Sequence, residues 1–325
     1  MALRADDIID RRKLRRKLTF WRIATLAVAA IGIVAGSYWL AGDEFGAGGG
    51  DHIARIKIEG TITEDEELLE RLEKVRKSAS VKGVILSIDS PGGTTAGGES
   101  IYDSVRLLAA EKPVVAQVGT LAASAGYMIA SASDHIVARK SSIVGSIGVL
   151  VQFPDVTGLM DKLGIKLEEV KSSPLKAEPT PFNPTTDEER AMIRAMIMDS
   201  YDWFVGIVDE RRPLSRAEVA ALADGSVFTG RQALQNKLVD ALGGEREAVD
   251  WLATKGVDAE LKVIEWKPKK SGSSLLFAEA LTRQFARLLG LPETSTDVFK
   301  EIGGDRIFLD GLLSVWHPEV PLLGD

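Results

Sequence analysis

A serine within a run of small residues is the first candidate for chemistry in this chain. The run covers residues 119–127 and reads Gly-Thr-Leu-Ala-Ala-Ser-Ala-Gly-Tyr, with Ser124 at its centre. The pattern predicts a strand over 113–119 before it and a helix over 125–133 after it. We expect a hydroxyl at such a turn to be exposed beside free helix N–H groups, which is where acyl-transfer chemistry needs a nucleophile. A single serine among alanines is also a common packing choice, so the residues around it must decide.

A second motif, Ser-Pro-Gly-Gly at 90–93, follows an apolar strand predicted over 83–89 and precedes a helix predicted over 98–111. We expect the motif to break the strand, because proline fixes φ and glycine adopts conformations that other residues avoid. Free N–H groups there are suited to an anion or an oxyanion. Neither Walker spacing nor G-x-G-x-x-G is present, so a nucleotide-binding loop is not indicated. A plain turn is the alternative interpretation.

The serine needs a proton acceptor, and the sequence offers few. The chain has three histidines, His52, His135 and His317, and no cysteine. His135 is expected within a strand, and the other two precede the core strands or lie in the tail, so none is well placed. The α/β-hydrolase signature G-x-S-x-G is also absent, because Ala122 stands where its first glycine would be. A lysine is the other known base for serine, and it must be neutral to act, which burial favours.

The order of strands and helices predicts how these residues are positioned. Apolar runs alternate with amphipathic segments at a spacing typical of repeated β-α-β units, so we expect an α/β fold with a mainly parallel sheet. The remaining predicted strands are 52–60, 135–138, 144–153 and 261–266. The remaining predicted helices are 64–78, 186–212, 215–224, 230–235 and 246–255.

Composition excludes several classes of protein. The 325 residues are 45% hydrophobic, enough to bury a sizeable core, and the net charge of −7 argues against nucleic acid as a partner. Without cysteine there is no disulfide, thiolate nucleophile or cysteine-based metal site. Three histidines without an H-E-x-x-H motif argue against a zinc hydrolase. We therefore expect neither a metal nor a cofactor.

The N-terminal region predicts a membrane anchor. Residues 1–22 are rich in arginine and lysine, whereas residues 23–41 carry no charge and have aromatic residues near their ends. As a helix, the uncharged stretch is about 28 Å long, close to the thickness of a bilayer core. The basic side should remain in the cytoplasm, with residues 43–325 on the far side. The alternative is a cleaved signal peptide, with Ala-Gly-Ser at 35–37 as its cleavage site.

Further boundaries follow from changes in composition. Residues 42–51 predict a glycine-rich linker, residues 52–266 hold the alternating strands and helices, and residues 267–325 predict a C-terminal helical extension. Within the extension, residues 275–289 carry an apolar stripe at helical spacing. The stripe predicts either a helix that packs on the protein's own core or on another subunit, or a helix that returns to the membrane surface.

Three segments together resemble the signal peptide peptidase A family, a group of serine peptidases related to Clp protease. They are Asp-Ser-Pro-Gly-Gly at 89–93, Ala-Ser-Ala-Gly-Tyr at 123–127 and Gly-Ser-Ile-Gly-Val at 145–149. Val-Phe-Thr-Gly-Arg at 227–231 and Leu-Val-Asp-Ala-Leu-Gly at 238–243 look like later motifs of that family. The resemblance covers about residues 52–266 and is to the half-length members, since each motif occurs once.

The resemblance implies a fold and a set of site residues. The fold would be a Clp protease/crotonase-like spiral of β-β-α units that follows an N-terminal transmembrane helix. Ser124 matches the nucleophile, Lys176 matches the general base, and Ser146 matches a serine that holds the lysine amine. Gly93 and the N–H of Ala125 match the two donors of the oxyanion hole.

The matched lysine has two alternatives in the sequence. Lys176 stands among serine, proline and glutamate residues that are typical of an exposed loop, and Lys171 and Lys140 are the fallback bases. Half-length members of the family look to assemble their dyad between neighbouring subunits of a ring. The resemblance therefore implies a homo-oligomer in which Lys176 reaches the Ser124 of a neighbour.

On this resemblance, the chain would be a membrane-bound serine endopeptidase that cleaves remnant signal peptides. It would cross the bacterial inner membrane once, with its catalytic domain on the periplasmic or extracytoplasmic side. Its partners would be cleaved signal peptides, the membrane and further copies of itself, without nucleic acid. Two rival functions remain: a crotonase-like acyl-CoA enzyme that uses the same two N–H donors, and a non-catalytic membrane scaffold that keeps the fold.

Overall fold

The computed structural model describes residues 50–268, the backbone of 313–315 and a few residues between 21 and 28. The predicted anchor and linker, and the amphipathic stretch 275–289, lie wholly or largely outside these residues. Within the described part, no helix is both long and apolar enough to cross a membrane. By its contacts the chain divides into two units, Met1–Gly48 and Gly49–Asp325, and all elements below belong to the second.

Among the described residues, the second unit forms one nine-stranded sheet. Its strands are β1 (His52–Ile62), β2 (Val81–Thr94), β3 (Val114–Ala123), β4 (His135–Ala138), β5 (Ile143–Gly145), β6 (Val227–Thr229), β7 (Ala241–Leu242), β8 (Val263–Glu265) and β9 (Leu313–Val315). The main path is β6-β5-β3-β2-β1-β8, while β4 pairs with β3 and β7, and β9 pairs with β2. The pairs β5–β6 and β2–β9 are antiparallel, and the other pairs are parallel.

Helices connect and cover these strands. They are α1 (Glu66–Lys77), α2 (Thr95–Ala109), α3 (Ala125–Ser131), α4 (Thr157–Leu163), α5 (Asp187–Arg211), α6 (Arg216–Leu222), α7 (Gly230–Gln235) and α8 (Glu245–Thr254). Helix α5 begins with a capping box in which the Thr186 hydroxyl accepts from the Glu189 N–H. Helices α6 and α7 begin in the same way at Ser215 and Thr229. Such caps satisfy the first N–H groups of a helix and define where it begins.

The central strands are buried on both faces, which explains their continuous apolar runs. Successive side chains of a strand point to opposite faces of the sheet. On β2, Val84 and Leu86 belong to the larger core cluster, which includes residues of α1 and α2. Ile85, between them, belongs to a second cluster with Leu252 of α8. Burial on both faces is typical of parallel sheets and gives the strand ends a rigid support.

The expected α/β organisation with a mainly parallel sheet is confirmed, but the prediction that β2 ends at residue 89 is wrong. The strand continues through the Ser-Pro-Gly-Gly motif to Thr94. It does so because Gly92 and Gly93 pair with β1 on one side and with β9 on the other. The pairing of β2 with β3 ends earlier, at Ser90, so that side of β2 is open to β9. Register shifts in both ladders lie next to Pro91, and they accommodate a residue that has no N–H to donate.

The strand predicted over 144–153 is also too long. Strand β5 ends at Gly145, because Gly145 has a φ of 112° and Ser146 has a φ of 53°, and these angles turn the chain out of the sheet. Helix α4 and the short strands β6 and β7 lie where neither a helix nor a strand was predicted, and β9 lies within the C-terminal extension that was predicted to be helical. These pieces are too short to produce a clear periodic pattern.

Gly93 marks the closest approach between β1 and β2. A Cβ placed on Gly93 would lie 1.8 Å from the Ile62 carbonyl oxygen, and the neighbouring Gly97 would bring a Cβ within 2.6 Å of the Thr63 carbonyl carbon. Real side chains do not approach backbone atoms this closely, so the two strands must separate to admit one. Glycine is therefore required where β2 leaves the sheet and α2 begins.

We predict that Gly93→Ala lowers the free energy of unfolding by roughly 2 kcal/mol or more, because the added methyl forces backbone atoms apart. Denaturant unfolding of the purified protein measures this change. Gly158→Ala in α4 is the matched control, since nothing lies within 4 Å of the added Cβ; it should be neutral or slightly stabilising because alanine favours a helix. Equal unfolding midpoints for Gly93→Ala and the wild type would contradict the close approach.

Candidate active site

Ser124 lies between β3 and α3 in a backbone conformation that is rare for a residue with a side chain. Its φ is 56° and its ψ is −121°, a region in which a non-glycine residue is strained. Its N–H donates to the Gly145 carbonyl (2.8 Å), and its carbonyl accepts from the N–H groups of Tyr127 and Met128 (2.9 Å each). A strained strand-to-helix turn is typical of a nucleophilic serine. The residue is only 1% exposed, so the expectation of an exposed hydroxyl is wrong, since β5 and the first turn of α3 pack against it.

Helix α3 is anchored by buried contacts behind this turn. Tyr127 is fully buried, and its hydroxyl donates to the Leu238 carbonyl (2.9 Å). Burial raises the pKa of the Tyr127 phenol, so this donor keeps its proton at neutral pH. Met128 is also fully buried. Because the N–H of Ala125, the first residue of α3, has no acceptor within the helix, the anchored helix holds a free donor next to the serine.

The register of β2 and β3 brings the two predicted oxyanion donors to one edge of the sheet. Ser90 pairs with Ala122. Gly93 stands three residues after Ser90, and Ala125 stands three residues after Ala122. The helices that follow these strands also pack tightly, because a Cβ placed on Gly98 of α2 would lie 3.1 Å from the Cβ of Ala125 in α3. The carboxyl edge of the sheet therefore holds Gly93, Ser124 and Ala125 together.

Ser146 reaches this edge through the pairing of β3 with β5. Ala123 pairs with Gly145, and each is followed by a serine with positive φ, Ser124 at 56° and Ser146 at 53°. The Ser146 N–H donates to the Ser226 carbonyl (2.7 Å), and the residue is 8% exposed. The structure thus brings the predicted nucleophile and the predicted lysine-holding serine together on adjacent strands.

Lys176 is not joined to these serines within one copy of the chain. It lies in the loop between α4 and α5, it is exposed, and its backbone N–H donates to the Ser173 carbonyl (3.2 Å). Within the described part of the chain, its ammonium makes no hydrogen bond or ion pair. The serines and the N–H donors therefore form one group, and the predicted base belongs to a separate loop.

The fallback bases are poorly suited to the role. The Lys171 ammonium lies 2.5 Å from the Glu169 carboxylate and also pairs with Glu178. Hydrogen bonds to Glu169 and then Glu178 raise the pKa of Lys171, so it holds its proton at neutral pH. Lys140 is exposed in the turn between β4 and β5. Neither lysine resembles a neutral, buried amine.

The histidines that the structure describes are remote from Ser124. His135 pairs with Val115 at the start of β3, roughly 30 Å along the strand from the serine at about 3.3 Å per residue. Its ring stacks on Trp251 with a centroid separation of 5.0 Å. His52 begins β1, again at the amino end of the sheet. No group of three His, Asp or Glu side chains among residues 50–268 is placed to hold a metal ion.

Strand β9 occupies the sheet edge at the predicted oxyanion donor. Leu313, Ser314 and Val315 pair antiparallel with Thr94, Gly93 and Gly92. This edge of β2 therefore accepts an extended peptide through backbone pairing. Nothing in the sequence pointed to this contact, because three residues in a tail carry no periodic signal.

Exposed apolar side chains cluster in the segment that carries Lys176. Six large hydrophobic residues between positions 159 and 182 are exposed: Leu159, Leu163, Ile165, Leu167, Val170 and Phe182. Apolar surface of this extent indicates an interaction surface. The predicted base therefore lies in a segment that is suited to contact another molecule.

Comparisons with known proteins agree with this geometry. The family model described as peptidase family S49 matches residues 106–260, and the model described as Clp protease matches residues 53–144. Over 248 residues, the chain is 36% identical to a protein of Synechocystis sp. named as a protease, covering 74% of this chain and 89% of that protein.

Two further relatives are named as peptidases. A protein of Enterococcus faecium named as a signal peptide peptidase is 33% identical over 270 residues, which cover 77% of both chains. Protease 4 of Haemophilus influenzae is 34% identical over 270 residues, which cover 77% of this chain and 44% of that protein. With its mainly parallel sheet and a Clp protease-type domain, the chain belongs to peptidase family S49, the signal peptide peptidase A family, and is a serine-type peptidase.

Proposed function

We propose that this serine peptidase is a membrane-anchored endopeptidase that cleaves remnant signal peptides, with Ser124 as nucleophile and Lys176 as general base. One observation carries the assignment of Ser124: it is a strained serine at a strand-to-helix turn, next to an unpaired helix N–H. Ser146 follows the adjacent strand and also has a positive φ. No other hydroxyl in residues 50–268 combines these features.

The proposed reaction needs only groups from the chain and water. A neutral Lys176 amine takes the proton of the Ser124 hydroxyl while the oxygen attacks the peptide carbonyl. The N–H groups of Gly93 and Ala125 stabilise the oxyanion, and one such donor typically contributes about 10²–10³ in rate. Lys176 then protonates the leaving amine, and it later deprotonates the water that hydrolyses the acyl-enzyme.

We place the base in a neighbouring subunit. An amine accepts a proton only in its neutral form, which burial favours, but Lys176 is exposed in one copy of the chain. The exposed apolar residues of segment 159–182 support an interface at this point. In a homo-oligomeric ring, Lys176 of one subunit would be buried against Ser124 and Ser146 of the next.

The substrate would bind as an extended strand along β2 at Gly92–Thr94. The backbone pairing of β9 with these residues supports this mode. A signal peptide left in a membrane is an apolar segment that must unwind from its helix to be read in this way. The anchor predicted over 23–41 would keep the domain beside such substrates, on the extracytoplasmic face of the bacterial inner membrane. The Enterococcus relative named as a signal peptide peptidase supports this substrate class.

We predict that Ser124→Ala abolishes cleavage of a synthetic signal peptide in detergent micelles, lowering kcat/KM by at least about 10³-fold because the nucleophile is lost. Lys176→Ala should be comparably inactive. Lys166→Ala, at another exposed lysine between α4 and α5, is the matched control and should retain activity. A fluorophosphonate should label the wild type at Ser124; cleavage that survives in Ser124→Ala would refute the assignment.

A shared site predicts that two inactive variants restore activity when mixed. Ser124→Ala and Lys176→Ala subunits, unfolded and reassembled together, should recover roughly a quarter of the wild-type rate, since random mixing in a ring joins the intact groups at one site in four. Ser124→Ala mixed with Ser146→Ala is the control and should stay inactive, because both serines belong to the same half of the site. Recovery in neither mixture would count against the shared site.

The position of β9 predicts that the C-terminal strand competes with substrate. A chain that ends after residue 312, or one that carries Ser314→Pro, should have a KM several-fold below that of the full chain, because proline removes a backbone N–H from the pairing strand. The kcat should not change, since the catalytic groups remain. Steady-state kinetics with the same peptide test this. An unchanged KM in both variants would exclude competition at the β2 edge.

A further inference from the structure

We propose that Ser90 is a positioning residue that sets the separation between the two oxyanion donors, Gly93 and Ala125. The inference rests on the proposed role of these two N–H groups. Ser90 is fully buried in β2, so it does not contact a substrate. Its effect on the reaction is carried by the backbone on either side of it.

The Ser90 hydroxyl fastens the glycine segment to the end of β1. It donates to the Gly60 carbonyl (2.6 Å) and accepts from the Gly92 N–H (3.1 Å). Gly60 has a φ of 75° and Gly92 a φ of 106°, which only glycine adopts without strain. Glycines are also the most easily rearranged residues of a chain, so this bridge restrains the peptide that leads into Gly93.

Ser90 also lies against the first turn of α3. A Cβ placed on Gly126 would lie 3.0 Å from the Ser90 carbonyl oxygen, 3.3 Å from its Cβ and 3.6 Å from its hydroxyl. Helix α3 therefore rests directly on Ser90, and the absence of a side chain at Gly126 permits this distance. Gly126 directly follows Ala125, just as Gly92 directly precedes Gly93.

Ser90 is thus the spacer between the two halves of the oxyanion site. Its hydrogen bond to Gly92 restrains one donor, and its contact with Gly126 restrains the other. Oxyanion stabilisation requires donors about 2.7–3.1 Å from the developing charge. A shift of a few tenths of an ångström in either donor therefore weakens the stabilisation of the transition state. Binding of the uncleaved peptide is spread over several backbone hydrogen bonds along Gly92–Thr94, so it is much less sensitive to such a shift.

We expect Ser90→Ala to lower kcat roughly 10- to 100-fold with KM within about twofold of the wild type, a loss smaller than that from removing a donor outright. Inhibition by a peptide aldehyde, which forms a tetrahedral adduct with Ser124, should weaken by the same factor. Binding of an uncleaved peptide, measured in a Ser124→Ala background, should not change.

Two further variants separate positioning from general stability. Gly126→Ala keeps the Ser90 hydroxyl but pushes α3 away, so it should give the same kcat and aldehyde losses. Ser131→Ala removes another buried hydroxyl, which donates to the Tyr127 carbonyl (2.9 Å) on α3; it should lower the unfolding midpoint while kcat stays near that of the wild type.

Unchanged kcat and aldehyde inhibition in both Ser90→Ala and Gly126→Ala would overturn the spacer role, as would an equal kcat loss in Ser131→Ala. If Ser90→Ala does not fold, Gly126→Ala alone still decides between these outcomes. Failure of the proposed function is recognised separately, because the wild type would then be insensitive to both the aldehyde and the fluorophosphonate.

Discussion

The parallel pairing of β2, β3 and β5 is the constraint on which the candidate site depends. Ser90 pairs with Ala122, and Ala123 pairs with Gly145. Because these strands are parallel, their carboxyl ends meet at one edge, where ligand sites of open α/β sheets are found. Gly93, Ser124 and Ser146 are brought together by this register, although they come from three separate parts of the sequence. A shift of one residue in either ladder would direct these groups to the wrong face.

This edge holds together because side chains are absent where backbones meet. Gly93 lies against Ile62 at a distance that leaves no room for a Cβ, and Gly126 lies against Ser90 so closely that a Cβ would push the two apart. The strained conformation of Ser124 is offset by its three backbone hydrogen bonds to β5 and α3. The deeper packing of Tyr127 then keeps α3 from relaxing that strain. The small residues around the serine thus allow strand, turn and helix to approach one another closely. In the sequence alone they suggest only tight packing.

The sequence predicted those parts of the fold that depend on local patterns. Strands β1 and β3 and helices α1, α2 and α5 were recognised because apolar periodicity is a property of neighbouring residues. The continuation of β2 past Pro91 was not predictable, because it depends on pairing with β1 and with β9, far away in the sequence. The ion pair of Arg212 with Asp240 was also not predictable, because in the sequence both residues look like surface charges. In the structure the arginine side chain is 5% exposed and donates to both carboxylate oxygens.

Those parts of the candidate site that stand in short sequence motifs were predicted. Ser124, Ser146 and the Gly-Gly segment stand in short patterns, and the structure places them at one edge. The bridging role that we infer for Ser90 leaves no sequence signal, since it arises from contacts with Gly60 and Gly126 on other elements. Those contacts exist only after the sheet has formed.

Two lysines in one loop illustrate how environment, not residue type, selects a base. Lys171 pairs with Glu169 and Glu178, and these carboxylates stabilise its charged form. The Lys176 ammonium has no such partner among the described residues, so burial would cost its charged form more than that of Lys171. The carboxylate pair on Lys171 also closes the segment 171–178 at its base, which leaves Lys176 on the projecting part. Charge pairing and exposure thus both make Lys176, and not Lys171, the better match to the proposed base.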